Sequence, residues 1–219
     1  MSRKLHLGCG QRYMEGYVNI DYPLSEHSVQ TRSVADKLAD LTKLRYSEKS
    51  IEEVRLHHVF EHFLRQDAIA LLASWNSWLV DGGTLHIEVP DFNRTALVAL
   101  NPRSSDRAKG VALRHIFGSN EAHWAVHYEG WSEKLLKTAL GAMGFSMAKV
   151  KRNSWKKTHN IEVIATKQSS ITQADARKSA KTYLHNFTLD DSKGEQDLLK
   201  TWMKDFDAQL AKTWAKKSR

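Results

Sequence analysis

The chain has 219 residues, of which 41% are hydrophobic and 26% are charged, and its formal net charge is +8. These values are typical of a soluble globular protein with one domain of ordinary size and an appendage. The single cysteine, Cys9, excludes an intramolecular disulfide and a cysteine-built zinc site, and no apolar run is long enough to span a bilayer. We therefore expect a cytoplasmic protein without a signal peptide.

Strand-like and helix-like runs alternate from residue 4 to about residue 167, which predicts a mostly parallel sheet with helices on both faces. The predicted strands are residues 4–9, 17–21, 53–58, 84–89, 145–150 and 161–165. Apolar residues at helical spacing predict helices over 64–80 and 132–142. Residues 34–40 allow either a short strand or a loop. The segment 102–130 is predicted to be long, irregular and functional, because it is rich in histidine, arginine and aromatic residues.

The composition changes after Lys167, which predicts a domain over residues 1–167 and a helical C-terminal extension over 168–219. The last predicted helix has one apolar stripe. The stripe consists of Leu198, Trp202, Phe206, Leu210 and Trp214. We expect it to dock on the domain or to form a homodimer. A membrane-surface helix is disfavoured, because the polar face mixes acidic and basic residues.

A glycine-containing turn follows the first predicted strand. Leu7 runs into Gly8-Cys9-Gly10, and Asp21 ends the second predicted strand eleven residues later. Glycines let a backbone pass close to a ligand, and a carboxylate in this place accepts hydrogen bonds from ribose hydroxyls. A tight structural turn would use the same glycines. A dinucleotide fingerprint needs a third glycine where Tyr13 stands, so the pattern favours a different adenosyl cofactor.

Further motifs follow the glycine turn in the sequence. They are Gly16 to Asp21, Asp40-Leu41, His57-His58-Val-Phe-Glu61-His62, Gly82-Gly83 with residues 84–91, and Trp131 to Phe145. In these motifs and their order the chain resembles the class I S-adenosylmethionine-dependent methyltransferases, and more narrowly a compact branch with a Leu-x-Leu-Gly-Cys-Gly run. The resemblance covers residues 4–167. It implies a Rossmann-like α/β fold whose mostly parallel sheet has seven strands or slightly fewer.

The resemblance also implies that S-adenosyl-L-methionine is the cofactor. The implied cofactor-binding residues are Leu7, Gly8, Cys9, Gly10, Asp21, Asp40, Leu41, His57 and His58. The wider family commonly has an acidic residue, which contacts the methionine amino group, two positions before the first glycine. His6 stands there in this chain, so another group must bind the ammonium. The backbone carbonyls around Gly8 and His58 are candidates.

Methyl transfer in this family is a direct in-line displacement, for which the protein mainly aligns the reactants. A general base is needed only where the acceptor must lose a proton. The predicted catalytic residues are His58, Asp91 and His127, chosen from a set that also includes His57, His123 and Tyr128. Each has a structural alternative, because a histidine can fix a loop and Asp91 can cap a turn or helix. Glu61 likewise can stabilise a helix N-terminus.

Two other groups of residues allow alternative interpretations. His123 and His127 have the spacing of metal ligands on a helix, but no third ligand is identifiable, so we assign no metal. Basic residues with an interleaved tryptophan at 149–157 fit either nucleic-acid binding or an exposed hairpin. The net charge fits either an acidic partner or a solvated basic surface.

The favoured function is methyl transfer to a small-molecule or glycan acceptor, as the resemblance implies. The alternatives are an RNA methyltransferase and a non-catalytic subunit that binds the adenosyl cofactor. Methylation of base amines is disfavoured, because His57-His58 stands where an Asp/Asn-Pro-Pro-aromatic turn is usual. Methylation of pyrimidine carbon needs a nucleophilic cysteine, and Cys9 lies in the cofactor turn instead.

Overall fold

The computed structural model describes residues 3–23, 32–122, 124–156 and 158–216. Within these ranges the strands are β1 (Arg3–Leu7), β2 (Val18–Asp21), β3 (Lys37–Leu38), β4 (Ile51–His57), β5 (Leu79–Pro90), β6 (Phe145–Trp155) and β7 (Thr158–Lys167). The helices are α1 (Arg65–Trp78), α2 (Phe92–Leu100), α3 (Asp106–Phe117), α4 (Glu133–Ala142), α5 (Gln173–His185) and α6 (Lys193–Thr213). Short 3-10 turns over Leu41–Lys43 and Phe60–His62 follow β3 and β4.

The strands form one sheet in the order β3-β2-β1-β4-β5-β7-β6. Neighbouring strands from β3 to β5 pair in parallel, whereas β7 runs antiparallel to both β5 and β6. The carboxyl ends of the five parallel strands therefore meet at one edge, and the direction of winding reverses between β1 and β4. This arrangement confirms the predicted α/β fold of seven mostly parallel strands with a C-terminal helical extension.

The sheet has an apolar face and a polar face, because side chains alternate along each strand. Leu5, Val54 and Leu85 are paired neighbours on three adjacent strands, and each is fully buried. The alternate positions carry charge: Arg55 Nη2 lies 3.3 Å from Glu162 Oε1. The apolar face shares one hydrophobic core with residues of α1, α4, α5 and α6.

Helix α1 is the centre of that core. Twelve of its 14 residues are buried, so it needs packing partners around its whole circumference. Both α5 and α6 pack against it. The helix ends at Trp78, two residues earlier than predicted, because Leu79 already pairs with Ile51 as the first residue of β5.

The C-terminal helices dock on α1 of the same chain. The apolar residues that α6 buries are Leu199, Met203, Phe206 and Leu210. Phe206 and Leu210 belong to the predicted stripe, whereas Leu198 is 38% exposed, so the buried face is rotated relative to that stripe. Trp78 Nε1 also donates to the Thr213 carbonyl at 2.8 Å. The domain boundary at residue 167 and a homodimer through α6 stay predictions.

The chain between β5 and α4 is more regular than predicted. Helix α2 follows β5 directly, and α3 occupies much of the segment predicted to be irregular. The start of α3 follows the usual capping rule, since the Ser105 hydroxyl accepts a hydrogen bond from the Ala108 amide. His115 of α3 contacts the His159 carbonyl at 3.0 Å, which places the helix near the carboxyl end of β5. None of the described helices is long and apolar enough to cross a membrane.

Truncation of Phe206 tests whether α6 is part of the core. Phe206 is fully buried, so we expect Phe206→Ala to lower the free energy of unfolding by about 3–5 kcal/mol. Leu198→Ala on the same helix is the matched control and should lower it by less than about 1 kcal/mol. Urea denaturation followed by circular dichroism measures both. Equal losses for the two variants would contradict the observed docking face.

Candidate functional site

The glycine turn after β1 is held against the end of β2. The amides of Gly8 and Cys9 both donate to the Ile20 carbonyl, at 2.8 and 3.1 Å. Gly8 and Gly10 have φ angles of +67° and +54°, in the left-handed region that favours glycine. A Cβ on Gly8 would lie 2.3 Å from Val59 Cγ2, whereas a Cβ on Gly10 would meet no described atom within 4 Å. The backbone of the turn is therefore packed against Val59 at Gly8, whereas at Gly10 it is open, in the sense that no described atom fills the space next to it.

The side chains next to these glycines serve packing. Leu7 and Cys9 are both buried, so only their backbone atoms can reach a ligand at the turn. Burial, followed by the nearby charge of Asp21, raises the pKa of the Cys9 thiol to about 11. A neutral, buried thiol is a poor nucleophile, in agreement with a packing role.

Asp21, the last residue of β2, has an unsatisfied carboxylate oxygen. Its Oδ1 accepts a hydrogen bond from the Tyr22 amide at 2.9 Å. Its Oδ2 is buried and has no hydrogen-bond partner among the residues that the structure describes. Buried polar atoms without partners are rare in folded proteins, and a bound water, ion or ligand is one explanation for them. Because Asp21 directly follows Ile20, this oxygen lies beside the glycine turn.

Asp40 and Leu41 lie where β3 leads into a 3-10 turn. Asp40 caps the turn: its Oδ1 accepts hydrogen bonds from the Thr42 amide and hydroxyl, and its Oδ2 lies 3.0 Å from Lys43 Nζ. Leu41 is buried in the core. Capping accounts for Asp40 without a ligand, although a carboxylate oxygen can accept a further hydrogen bond.

His6 and His57 are the neutral members of a series of hydrogen-bonded side chains that leads from Arg55 to Asn19. Arg55 Nε donates to His57 Nε2 at 3.2 Å, so the His57 proton lies on Nδ1, which is 3.4 Å from His6 Nε2. His6 Nδ1 then donates to Asn19 Oδ1, which also accepts from the Met14 amide. Burial and then the Arg55 charge lower the pKa of His57 to about 3, and burial also lowers the pKa of His6. His6 is therefore a buried neutral group and does not replace the family's carboxylate.

His58 has the opposite charge state. It adopts a φ of +54°, and its ring lies between Glu61 Oε1 at 3.2 Å and Glu88 Oε1 at 3.5 Å. Burial opposes protonation, but the hydrogen bonds and charges of these two carboxylates outweigh it and raise the pKa of His58 to about 10. His58 is therefore an imidazolium at neutral pH. An imidazolium cannot act as a general base, so the predicted role of His58 as a base does not fit its surroundings.

Asp91 acts as a structural cap. Its Oδ1 accepts a hydrogen bond from the Arg94 amide at the start of α2, and its Oδ2 lies 3.6 Å from Arg152 Nε. The residue is buried and its own amide donates to the His159 carbonyl. These contacts fit the capping alternative for Asp91, and its catalytic role stays a prediction.

His127, like His58, lines a cavity at this edge of the sheet. It lies in a loop rather than on a helix, and His123, its predicted companion, lies outside the described residues. Its Nδ1 contacts the His115 carbonyl at 3.1 Å, and burial lowers its pKa. A carbonyl can only accept, so Nδ1 carries the proton and Nε2 has a free lone pair. Tyr128 is 51% exposed.

Two cavities adjoin at this edge of the sheet. One has a volume of about 390 Å³ and is lined by residues that include His58, Glu61, His115 and His127. The other has a volume of about 700 Å³, lies among α2, α3 and the β6–β7 hairpin, and shares His115 and Thr158 with the first. Ligand pockets commonly have volumes of about 300–1,000 Å³.

Sequence reasoning missed Glu88 and His115. Glu88 and Glu61 both contact His58. The alternation of side chains along β5 places Glu88 on the polar face of the sheet, but the residues near Glu88 in the sequence do not show that His58 is its partner. His115 lies over His58, with ring centroids 6.0 Å apart. It could have been placed on a helix, because Ser105 and the apolar spacing that follows are a readable helix start.

No family model and no curated protein matches this sequence. Solved structures match its fold. A S-adenosylmethionine-dependent methyltransferase from Archaeoglobus fulgidus has a TM-score of 0.54 and 16% identity over 76% of this chain and 86% of that one. Another from Mesorhizobium loti has a TM-score of 0.50 and 16% identity over 75% and 90%. A Haloferax volcanii methyltransferase, in complex with the Trm112 methyltransferase activator, has a TM-score of 0.54 and 14% identity over 78% and 84%.

At these identities the similarity concerns the fold. The chain has the α/β fold of the class I S-adenosylmethionine-dependent methyltransferases, and its glycine turn and Asp21 lie at the carboxyl edge where that fold binds ligands.

The two adjacent histidines should differ in charge across the neutral range. With pKa values of about 3 for His57 and about 10 for His58, we expect neither ring to titrate between roughly pH 5 and 8.5. NMR of the ring nitrogens should show a neutral His57 and a charged His58. Glu88→Gln removes one carboxylate and should lower the pKa of His58. A midpoint near that of an ordinary histidine for wild-type His58 would contradict the observed pairing.

Proposed function

We propose that this chain is a S-adenosylmethionine-dependent methyltransferase that acts on a small-molecule or glycan acceptor. The observation that carries the proposal is the buried Oδ2 of Asp21, which lacks a described partner beside a glycine turn that is open at Gly10. Asp21 would thus place a charged hydrogen-bond acceptor next to a glycine turn whose backbone a ligand can approach. The fold shared with known methyltransferases supports the same conclusion.

The residues of the turn fit the adenosyl group. Asp21 would accept hydrogen bonds from the ribose hydroxyls, and the backbone atoms of Gly8 to Gly10 would contact the adenosyl group. Asp40 and the backbone of Leu41 would bind the adenine, and the carbonyls around Gly8 and His58 would bind the ammonium. When bound, the cofactor supplies an activated methyl group on a sulfonium. His57 would support the glycine turn as part of the hydrogen-bonded series of neutral side chains that includes His6.

The groups on the acceptor side would align the acceptor rather than form covalent bonds with it. His58 directs both ring N–H groups at Glu61 and Glu88, so it would hold these two carboxylates in place beside the acceptor. Asp91 would fix the start of α2, and His127 would present a neutral nitrogen to the smaller cavity. Proximity and alignment are the main contributions that an in-line displacement needs.

The cavities support a small acceptor. Arg107 and Lys156 line the larger cavity, so anionic or strongly polar acceptors are favoured there. The basic run at 149–157 is partly paired within the chain, which disfavours a nucleic-acid surface. Lys151 Nζ lies 3.4 Å from Glu162 Oε2, and Arg152 pairs with Asp91 and Glu133. A cytoplasmic location remains part of this proposal.

Calorimetric titration with S-adenosylhomocysteine tests the cofactor site. Each lost hydrogen bond to a charged acceptor costs about 1.5–3 kcal/mol, so we expect Asp21→Asn to weaken binding by at least about tenfold. Gly10→Val adds a side chain on the open side and should also weaken binding. Asp81→Asn is the matched control, because Asp81 lies at the far end of β5 and is 69% exposed. Unchanged affinity in both site variants would refute the assignment.

Transfer of a labelled methyl group from the cofactor into fractionated cell extract tests the acceptor class. We expect label in small molecules or glycans, and less label with Asp21→Asn at a cofactor concentration below saturation. Label in RNA, together with RNA affinity that falls steeply with salt, would favour the RNA methyltransferase instead. Cofactor binding without transfer to any fraction would favour the non-catalytic subunit.

A further inference from the structure

Three metal-ligating side chains meet beside the proposed methyltransferase site. Glu61, His62 and His127 each offer one ligand atom, and these atoms lie within 4.8 Å of one another. All three residues line the same cavity of about 390 Å³. Two of them are adjacent in the chain, and the tertiary fold supplies the third.

Both histidines present the same nitrogen to the cluster. His62 Nδ1 lies 3.0 Å from the Val126 carbonyl, and His127 Nδ1 lies 3.1 Å from the His115 carbonyl. Because carbonyl oxygens only accept, each Nδ1 carries a proton, and each Nε2 keeps a lone pair. A backbone carbonyl that accepts from the far nitrogen is the usual second partner of a metal-binding histidine, since it fixes the tautomer and the ring orientation.

The carboxylate of Glu61 is buried and only partly satisfied. Its side chain is 1% exposed, and its Oε1 accepts a hydrogen bond from His58 Nδ1 at 3.2 Å. Its Oε2 has no hydrogen-bond partner among the described parts of the chain. Oε1 is the oxygen that faces His127, 4.0 Å from His127 Nε2. A cation at this point would stabilise a buried carboxylate that the described protein atoms satisfy only in part.

The backbone holds the cluster in place. The Tyr128 amide donates to the Glu61 carbonyl at 2.9 Å, and the His127 amide donates to the Phe117 carbonyl at 3.1 Å. The loop that carries His127 is thereby tied both to the turn after β4 and to the end of α3. Such support keeps ligands near binding geometry before the ion arrives.

We propose that Glu61, His62 and His127 bind one divalent transition-metal ion. Ligand atoms of a tetrahedral ion lie about 3.3–3.6 Å apart, because metal–nitrogen and metal–oxygen distances are about 2.0–2.2 Å. His127 Nε2 lies 4.0 Å from Glu61 Oε1, and the three ligand atoms lie within 4.8 Å of one another, so the side chains would move closer together when an ion binds. Two imidazoles and one carboxylate favour zinc or iron(II) over magnesium or calcium, which prefer oxygen ligands.

Three protein ligands leave coordination positions open, as in catalytic rather than structural metal sites. The shared cavity offers these positions to water or to an oxygen group of a small ligand. The metal site uses none of the atoms assigned to the adenosyl group, so its occupancy can be measured without the cofactor.

Equilibrium dialysis of the untagged protein against Co²⁺ or Zn²⁺, with metal analysis, tests the proposal. We expect one ion per chain, visible Co²⁺ absorption bands, and no displacement by a large excess of Mg²⁺. His127→Ala and His62→Ala should each weaken binding by at least about tenfold, since they remove a direct ligand. His185→Ala is the matched control, because His185 is exposed on α5 and pairs with Asp191.

The outcomes separate this proposal from the cofactor assignment. Asp21→Asn should still bind one Co²⁺ although its affinity for S-adenosylhomocysteine falls. Circular dichroism of metal-free His127→Ala and His62→Ala should match wild type, because both side chains line a cavity rather than the hydrophobic core. Failure of wild-type protein to bind either ion, or equal binding by wild type and folded His127→Ala, would overturn the metal site.

Discussion

The buried carboxylate of Glu61 is the charge around which the carboxyl edge of the sheet is arranged. A buried carboxylate costs several kcal/mol unless it is paired, and here His58 supplies the charge. The same imidazole reaches Glu88 and thereby joins the end of β4 to the end of β5. The Glu61 carbonyl accepts from Tyr128, which ties in the loop after α3. The side-chain charges of Glu61 and His58 therefore join the ends of β4 and β5, and the backbone of Glu61 adds the loop after α3.

This edge separates two environments that lie next to each other. On the side of the glycine turn, His57 and His6 are neutral links in a hydrogen-bonded chain that starts at Arg55. On the cavity side, His58 is a cation between two carboxylates. A proposed methyl donor would thus lie next to neutral side chains, and its acceptor would lie near a histidine–carboxylate cluster. Because His58 directs both ring N–H groups at Glu61 and Glu88, this cluster is held in position by its own contacts.

The C-terminal helices are structural partners of this edge rather than an independent tail. Helix α1 connects β4, which ends just before His58, to β5, which carries Glu88. The helix is buried around most of its surface, so both strands depend on a helix that other residues must cover. Helices α5 and α6 pack against it, and Phe206 of α6 is fully buried in the shared core. The position of the site therefore depends on residues beyond 167, which contribute none of the site side chains described above.

The sequence by itself determined the features that depend on local chemistry. Alternation of apolar residues predicted the sheet, Ser132 predicted the start of α4, and Gly8 and Gly10 predicted a turn that needs positive φ. The start of α3 has a weaker local signal, the Ser105 cap, in a segment for which the composition predicted an irregular structure. Only the tertiary structure decided that His57 is neutral while His58 is charged, and that His127 lies against Glu61. Secondary structure follows from a residue and its near neighbours, whereas protonation and ligand geometry follow from distances between segments far apart in the chain, which only folding sets.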